Sequence, residues 1–318
     1  MEPEGFARAC GRIIDEVARL IVGKRTFLEK VLCAFLAEGH VLIEDFPGLA
    51  KTLAARSFAA AMGLTFKRIQ FTPDLLPADV TGGYLFNRQT SAFQLVKGPI
   101  FANIVLGDEI NRAPPKTQAA MLEAMAERQV TLEGETHSLA RPFFVIATQN
   151  PIEYEGTFPL PEAQLDRFIV RLSIGYPDAA EELEILARRW RRGEEDLVLS
   201  PVTDPAELAE MRAFVETVRV DEDVARYMVE LAQATRSAVH VSVGASPRAS
   251  LGLLKLSRVR AAMAGRAYVV PDDAKDLAVE VLVHRVLLKP DMWAAEVSAR
   301  SVVESVLRSV AVPRIPTR

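Results

Sequence analysis

The sequence has few cysteines, few histidines and no long apolar run. With only Cys10 and Cys33 in 318 residues, a disulfide framework is excluded, and a reducing cytosol is the expected compartment. The four histidines stand at His40, His137, His240 and His284. None has the spacing of metal ligands, so we expect structural or surface roles for them. No apolar run approaches the length of a membrane span, and the first residues, MEPE, do not resemble a signal peptide.

The chain also lacks an excess of basic residues. Its 38 Lys and Arg stand against 42 Asp and Glu, which gives a net charge of -4. Proteins that bind a nucleic-acid backbone usually carry a basic excess, so a dedicated duplex-binding role is disfavoured, although a local basic groove is not excluded. With 49% hydrophobic and 25% charged residues, the composition is that of a globular protein, and the length favours two domains.

The stretch from Val41 to Thr52 reads VLIEDFPGLAKT, an apolar run followed by a turn and a predicted helix start. This is the layout of a phosphate-binding loop, in which backbone N–H groups surround the phosphates. Lys51 would contact the β and γ phosphates, and the Thr52 hydroxyl would bind Mg²⁺. The motif G-x-x-x-x-G-K-[ST] has Gly where this chain has Asp45 and Ala50. An ordinary strand–turn–helix is the alternative for this stretch taken alone.

Each of the two departures from the motif, Asp45 and Ala50, leads to a prediction about the structure. A carboxylate at position 45 would repel a triphosphate by about 1 to 4 kcal/mol at a separation of about 4 Å, unless its side chain points away. Ala50 would be strained at positive φ, so we predict helical φ and ψ for it. Gly48 is the remaining flexible position of the loop.

Two further predicted strands end in polar residues. Asp108 and Glu109 follow the first; in a nucleotide-triphosphate hydrolase such a pair orders Mg²⁺ and takes a proton from the attacking water. The second, from Phe143 to Ala147, leads to Asn150, whose amide could orient water; the alternative is an Asn in a turn. Because ligands lie at the carboxyl ends of parallel strands, we expect Asn150 beside the two acids.

Strand and helix patterns alternate up to residue 177, which predicts a mostly parallel sheet covered on both faces. Beyond this point the strand signal vanishes, so the second half is predicted to be all-helical. We therefore expect an α/β domain at 1–176 and a helical domain at 177–318. Residues 178–192 are predicted to form a helix whose basic end is solvated.

Two hairpins are predicted in addition to the sheet. One lies at 84–96, within an irregular segment at 72–100 that is interpreted as an insertion and not as core. The other lies at 130–139 and turns at a Glu-Gly-Glu sequence.

Five short motifs follow one another along the chain: PGLAKT at 47–52, DEINRAPPKTQ at 108–118, ATQNP at 147–151, LDRF at 165–168 and GASPRA at 244–249. Their order and spacing closely resemble those of the MoxR family of AAA+ ATPases. The resemblance implies an AAA+ P-loop NTPase core, built as a parallel sheet flanked by helices with hairpin insertions. An all-helical lid domain would follow this core.

The resemblance also implies roles for single residues. The phosphate loop would consist of Pro47, Gly48, Leu49, Ala50, Lys51 and Thr52, and the adenine pocket would be lined by Ile21, Val22 and Gly23. Thr52 and Asp108 would bind Mg²⁺, and Glu109 would activate water. Asn150 matches the first sensor of the family.

Two arginines complete the implied site. Arg167 matches the arginine finger, which acts on the ATP of a neighbouring subunit; without the family, a surface ion pair with Asp166 or Glu162 would be preferred. Arg248 matches the second sensor, reaching back from the lid to the phosphates of its own subunit. The alternative is an arginine at a helix start behind a Ser246 cap, and both can hold together, since a helix start attracts anions.

The function implied by the resemblance is hydrolysis of ATP with Mg²⁺ by a homo-oligomeric, hexameric ring in the cytoplasm. Such a ring would remodel or mature a protein client, with a von Willebrand factor A domain protein as partner, and the two hairpins would face its central pore. Two alternatives stay open. One is a nucleotide-gated scaffold with negligible turnover, and the other is a nucleic-acid motor, which the acidic balance disfavours.

Overall fold

A computed structural model describes residues 1–151, 156–193, 198–290 and 297–313 of the chain. The first half contains α1 (Pro3–Ala18), α2 (Arg25–Leu36), β1 (Val41–Glu44), α3 (Lys51–Ala61), β2 (Phe66–Gln70), α4 (Pro77–Thr81), β3 (Gly82–Asn87), β4 (Ala92–Lys97), β5 (Ile104–Asp108), α5 (Pro115–Glu127), β6 (Gln129–Leu132), β7 (Glu135–Ser138), β8 (Phe144–Gln149), α6 (Glu162–Leu165) and β9 (Val170–Leu172). The second half contains α7 (Ala179–Arg192), α8 (Pro205–Thr217), α9 (Glu222–Ser237), β10 (Val241–Val243), α10 (Pro247–Met263), α11 (Pro271–Leu282), β11 (Leu287–Leu288) and α12 (Ala299–Ser309).

Five strands form one parallel sheet in the order β2-β5-β8-β1-β9. The register pairs Glu44 of β1 with Gln149 of β8, and Gly107 of β5 with Ala147 of β8. Since all five strands run in the same direction, the carboxyl ends of these three neighbours meet at one edge. The predicted parallel sheet is therefore confirmed.

Both faces of the sheet are covered, because side chains alternate along each strand. In β1, Val41 and Ile43 belong to a hydrophobic cluster that also contains residues of α1, α2 and α3. Leu42, between them, belongs to a second cluster on the other face, with Met121 and Leu122 of α5. This two-sided burial explains why the predicted strands are near-continuous apolar runs.

The helical second half packs directly on the first. The cluster that contains Val41 continues through α2 into α9, α10, α11 and α12 without a break. The thiol of Cys33 in α2 donates a hydrogen bond to the carbonyl of Leu256 in α10, at 3.4 Å. The two predicted domains thus share one hydrophobic core, and the boundary at 176/177 stays a prediction.

The sequence predicted an all-helical second half, but the structure also contains two short strands there. Two short strands, β10 and β11, pair in antiparallel fashion, with Val241 opposite Leu288 and Val243 opposite Leu287. Strands of two or three residues are too short to show an alternating pattern. Their pairing also depends on a contact between residues more than 40 positions apart, which local periodicity does not reveal.

The hairpin predicted at 84–96 is present as β3 and β4, and the one at 130–139 as β6 and β7. The interpretation of the whole segment 72–100 as an insertion outside the core was wrong, however. It contains the short helix α4, and Val80 and Ile100 are fully buried in the second cluster. Because proline and glycine interrupt this segment, its sequence shows no regular apolar pattern that would identify Val80 and Ile100 as core residues.

The two cysteines and two of the histidines are buried, as a structural role requires. Cys10 and Cys33 are free thiols, and burial raises the pKa of Cys33 to about 12. His40 accepts a hydrogen bond from the Val145 N–H at Nδ1 and lies 3.1 Å from the Met125 carbonyl at Nε2. Burial lowers the pKa of His40 to about 4, so the ring is neutral. Among the described residues, no helix combines the length and apolar character needed to cross a membrane.

A buried ion pair joins the second half to the start of β9. Arg285, whose side chain is only 4% exposed, donates from Nε to the Asp166 carboxylate at 2.7 Å and from Nη2 to the Phe168 carbonyl at 2.7 Å. The other carboxylate oxygen of Asp166 accepts a hydrogen bond from the Ser246 hydroxyl at 2.9 Å. One carboxylate therefore holds two elements of the lid.

We expect Arg285→Ala to lower the free energy of unfolding by about 3 to 5 kcal/mol, because the part-buried Asp166 carboxylate loses its buried cation and keeps only the exposed Arg248 at 3.7 Å. Chemical denaturation measures this loss. Arg226→Ala is the matched control, since Arg226 makes two exposed ion pairs with Glu222 and Asp223 on α9 and should cost less than about 1 kcal/mol. Equal losses in the two variants would contradict a structural role for the buried pair.

Candidate functional site

The phosphate loop links β1 to α3 at the carboxyl edge of the sheet. Gly48 has φ 84°, a left-handed conformation that glycine adopts without strain. Pro47, Gly48 and Ala50 are exposed, while Leu49 is buried and fixes the loop to the body of the protein. The loop is therefore open to a ligand on one side and anchored on the other.

Ala50 was expected to have helical φ and ψ, and this prediction is wrong. Its φ of 56° and ψ of 20° lie in the left-handed region. An L-residue there costs roughly 1 to 2 kcal/mol, which explains why the motif has glycine at this position. Ala50 lies where the chain turns from the loop into α3.

Asp45 is buried, and its carboxylate is directed to the end of β9. One oxygen accepts hydrogen bonds from the N–H groups of Ile174 at 2.6 Å and Gly175 at 2.8 Å, and from the Ser173 hydroxyl at 3.0 Å. The next residue in the loop, Phe46, stacks on Tyr176 with ring centroids 5.8 Å apart. The carboxylate thus ties the first position of the loop to the segment that leads into the lid.

Lys51 begins α3, and its amine lies among acidic groups. The amine donates a hydrogen bond to the backbone carbonyl of Asp45. Burial lowers the pKa of Lys51, while the charges of Asp45, Asp108 and Glu109 oppose this shift. The amine of the phosphate loop and the two acids at the end of β5 therefore share one local electrostatic environment.

Thr148 connects the two acids, and the sequence analysis gave it no role. This residue of β8 is 1% exposed, and its hydroxyl donates to Asp108 at 2.6 Å and accepts from the Glu109 N–H at 2.9 Å. Glu109 has φ 56° and ψ 48°, and the bond from its N–H fixes this unusual backbone conformation. A hydroxyl in an otherwise apolar buried strand was the signal that could have identified Thr148.

Two residues of β2 hold the acids from the other side. Arg68 donates to the Asp108 carboxylate at 2.7 Å and 3.0 Å, and Gln70 donates to the Glu109 carboxylate at 2.8 Å. Arg112 also lies 3.1 Å from the same Glu109 oxygen. Arg68 and Gln70 are two residues apart in β2 and therefore lie on the same face, and the sequence analysis gave neither of them a role.

Asn150 follows β8 and is 8% exposed. Because Gln149 is paired with Glu44, Asn150 leaves the sheet beside Asp45, the first residue of the phosphate loop. The structure therefore brings Lys51, Asp108, Glu109 and Asn150 to the same edge of the sheet, from three neighbouring strands.

The segment Ile21, Val22 and Gly23 lies between α1 and α2, close to the start of α7. Gly23 has φ 72°, and a side chain there would overlap the carboxylate of Glu181. Lys24 donates to that carboxylate and to the Tyr176 carbonyl, both at 3.0 Å. A cleft of about 230 Å³ opens beside Gly23 and is lined further along by residues 173 and 174. The segment thus borders the same linker that Asp45 holds.

The donor set at the edge of the sheet fits a magnesium ion. Mg²⁺ prefers oxygen ligands and usually takes one or two from the protein and the rest from phosphates and water. Thr52 contributes a half-buried hydroxyl on the first turn of α3, and Asp108 contributes a carboxylate that is 14% exposed. These are the oxygen atoms that the sequence had predicted as ligands.

Arg167 lies before the start of β9, at the opposite end of this strand from the phosphate loop. Its guanidinium donates to the backbone carbonyl of Leu122 in α5. Within the described ranges it makes no ion pair with Asp166 or Glu162, which was the alternative interpretation. Asp166 is occupied instead by Arg285 and Ser246.

Arg248, which the sequence analysis expected to reach the phosphates of its own subunit, lies beside Asp166 in this structure. It is 62% exposed, and its Nη1 lies 3.7 Å from Asp166, which precedes β9. The phosphate loop contacts the other end of β9 through Asp45. The Ser246 hydroxyl caps α10 by accepting from the Arg248 N–H at 3.2 Å, as the sequence indicated. The direction in which the lid docks on the core, which local patterns do not show, decides this placement.

Comparison with known families identifies the class of this fold. Residues 40–170 match the model of the ATPase family associated with various cellular activities (AAA), and residues 233–306 match the AAA lid domain. A crystal structure designated an ATPase from Cytophaga hutchinsonii superposes with a TM-score of 0.92 at 38% identity and covers 98% of this chain and 97% of its own. The fold is that of an AAA+ ATPase core followed by its lid.

Relatives in sequence define the family more narrowly. Uncharacterized protein YeaC of Bacillus subtilis is 47% identical over 95% of this chain and 94% of its own length. Chaperone MoxR1 of Mycobacterium tuberculosis is 44% identical over 96% of this chain and 82% of its own length. Protein MoxR of Methylorubrum extorquens is 27% identical over 95% and 93%. The chain belongs to the MoxR family of AAA+ ATPases.

The two departures from the phosphate-loop motif should respond in opposite ways to glycine. Asp45→Gly restores the usual residue but removes three hydrogen bonds to a buried charge, and we expect it to lower the free energy of unfolding by about 2 to 4 kcal/mol. Ala50→Gly removes left-handed strain and should be neutral or stabilising by up to about 1 kcal/mol. Urea denaturation compares the two variants. A stabilised Asp45→Gly protein would refute the structural role of the Asp45 carboxylate.

Proposed function

We propose that this chain hydrolyses ATP to ADP and phosphate, with Mg²⁺, as part of a homo-oligomeric ring. The observation that supports this proposal is the convergence of Lys51, Asp108, Glu109 and Asn150 at one edge of the sheet. Phosphoryl transfer needs a protein mainly to position the reactants and neutralise charge, and these side chains are suited to both tasks.

Each residue has a distinct role in the proposed reaction. The N–H groups of the loop and the amine of Lys51 bind the β and γ phosphates. Thr52 and Asp108 hold Mg²⁺, which when bound neutralises the phosphate oxygens. Asn150 orients the attacking water. Glu109 takes the proton of that water, and its position is set by Thr148 through the backbone and by Gln70 through the carboxylate.

The proposed site needs a second subunit. Arg167 and Arg248 both lie near the start of β9, while the phosphate loop lies near its end, so neither arginine is available to its own ATP. We infer that both serve the ATP of a neighbouring copy. A supplied arginine finger is worth about 10³ to 10⁵ in rate, so we propose that assembly, as a hexamer, activates hydrolysis.

The two hairpins support a role in handling a protein client. Phe86 and Phe93 pack on each other at 5.4 Å on the β3–β4 hairpin, and Phe93 is 71% exposed. The hydroxyl of Tyr84 in β3 donates to Glu135 of β7 at 2.6 Å, which joins the two hairpins into one surface. Exposed apolar surface of this kind marks interaction sites.

We propose that this surface contacts the client in the ring's pore and that hydrolysis remodels or matures that client. The name of the relative MoxR1 describes it as a chaperone, which supports this class of activity. A partner with a von Willebrand factor A domain belongs to the same proposal.

We expect Glu109→Gln to bind ATP with nearly unchanged affinity and to release phosphate at least about 100-fold more slowly, because the amide cannot accept the proton of water. Lys51→Ala is the comparison variant and should lose ATP binding itself. Phosphate release and a fluorescent ATP titration measure the two properties. If the unaltered protein and Glu109→Gln turn over equally slowly, the chain is a nucleotide-gated scaffold and not a motor.

Mixing two inactive variants tests whether the arginines act across subunits. Arg167→Ala and Arg248→Ala should each retain ATP binding and lose hydrolysis. Glu109→Gln subunits still supply both arginines, so adding them to either arginine variant should restore part of the activity. Recovery with Arg167→Ala but not with Arg248→Ala would assign Arg248 to its own subunit, and no recovery in either mixture would contradict the shared site.

A further inference from the structure

The first helix of the lid, α7, faces the body of the protein with polar side chains. Glu181 forms an ion pair with Lys24 at 3.0 Å. Arg188, seven residues further along, donates from Nη1 to the carbonyls of Ala18 at 2.8 Å and Arg19 at 3.2 Å. Residues seven apart lie on the same side of a helix, so this side of α7 is fixed to the end of α1 and to the segment that follows it.

The opposite side of α7 is apolar and exposed. Leu183, Leu186 and Trp190 are 67%, 66% and 89% exposed. Their spacing of three and four residues places them in one line along the helix, which we name the α7 stripe. An amphipathic helix on a protein surface normally turns such a line inward, so α7 has the reverse orientation. A contiguous exposed stripe of this kind marks an interaction surface.

The charges along α7 indicate what covers the stripe. Glu182 lies in the first half of the helix and Arg189 in the second half, and both border the stripe, whereas Glu181 and Arg188 face the body of the protein. A second copy of the helix laid antiparallel on the first would place each Glu182 beside an Arg189. A parallel copy would place like charges together, which is unfavourable.

The flanks of the stripe fit the same arrangement. Glu182 and Arg189 are seven residues apart and lie together on one flank, where an antiparallel copy would pair each with its opposite. Ala180 and Ala187 lie on the other flank, and their small side chains allow two helices to approach closely. An anionic membrane fits less well, because the acidic first half of the helix would face the negative lipid surface.

We propose that the α7 stripe is a self-association surface, on which two copies of this chain pair through antiparallel α7 helices. Leu183 of one copy lies beside Trp190 of the second copy, and Glu182 lies beside Arg189 of the second copy. The contact has two-fold symmetry, since the same patch serves both partners. The stripe contains none of the residues that are proposed to bind or hydrolyse ATP.

The contact is small and therefore weak alone. Stable interfaces bury about 1,200 to 2,000 Å² in total, more than one stripe of three side chains supplies. In the proposed ring, each subunit carries the same patch. Two rings would therefore meet at several contacts at once, and their combined binding would be stronger than that of one small contact.

Sedimentation velocity of the full chain over a range of concentrations, without nucleotide, tests the proposal. The unaltered protein should associate, and Leu186→Glu should weaken that association by at least about tenfold. Val239→Glu is the control, since Val239 is 75% exposed on another surface of the lid, and it should associate normally. Circular dichroism verifies that both variants are folded. Equal association of Leu186→Glu and the unaltered protein overturns the proposal.

Charge reversal tests the antiparallel geometry itself. Glu182→Arg and Arg189→Glu should each weaken association several-fold, and the double variant Glu182→Arg/Arg189→Glu should restore it, because the pair is re-formed with its charges exchanged. A double variant weaker than both single variants overturns the geometry. Lys51→Ala should still associate, since the surface does not depend on ATP. Binding of vesicles of phosphatidylserine and phosphatidylcholine that Leu186→Glu abolishes, without self-association of the unaltered protein, assigns the stripe to a membrane and overturns the proposal.

Discussion

The parallel register of β5, β8 and β1 is the constraint on which the site depends. It places Glu44 opposite Gln149 and Gly107 opposite Ala147, so the three strands end together. A shift of one residue in either pairing would turn the following side chains to the other face of the sheet. Thr148 reinforces the register, because its hydroxyl joins β8 to both acids that follow β5. Packing on both faces of the sheet thus sets the geometry of a polar site at its edge.

The edge strand β9 is held at both ends by buried or part-buried carboxylates. Asp45 binds the backbone where the strand ends, and Asp166 binds Arg285 and Ser246 before the strand begins. The first carboxylate belongs to the phosphate loop and the second contacts the lid. The segment that Asp45 holds therefore provides one direct connection between the phosphate loop and the start of the lid.

Local patterns predicted the parallel sheet, the mainly helical second half, both hairpins and the family. They did not predict the left-handed Ala50, because a loop conformation set by the following helix overrides the preference of the residue. They also missed Thr148 and Gln70, whose roles depend on which strand lies next to which. The position of Arg248 beside Asp166 was not predictable for the same reason on a larger scale, since it follows from how the lid docks on the core.

In the proposed ring, the placement of the two arginines would connect the lid of one subunit to the ATP site of the next. Arg248 starts α10, and α10 packs against α2 within the core that both halves share. Arg167 lies next to Asp166, which is fixed to the same lid by Arg285. Asp166 therefore links the lid to the segment that carries Arg167, while the guanidinium of Arg167 is bound to the Leu122 carbonyl of α5. If both arginines act on a neighbouring ATP as proposed, the activity of that site depends on how this lid docks on its own core.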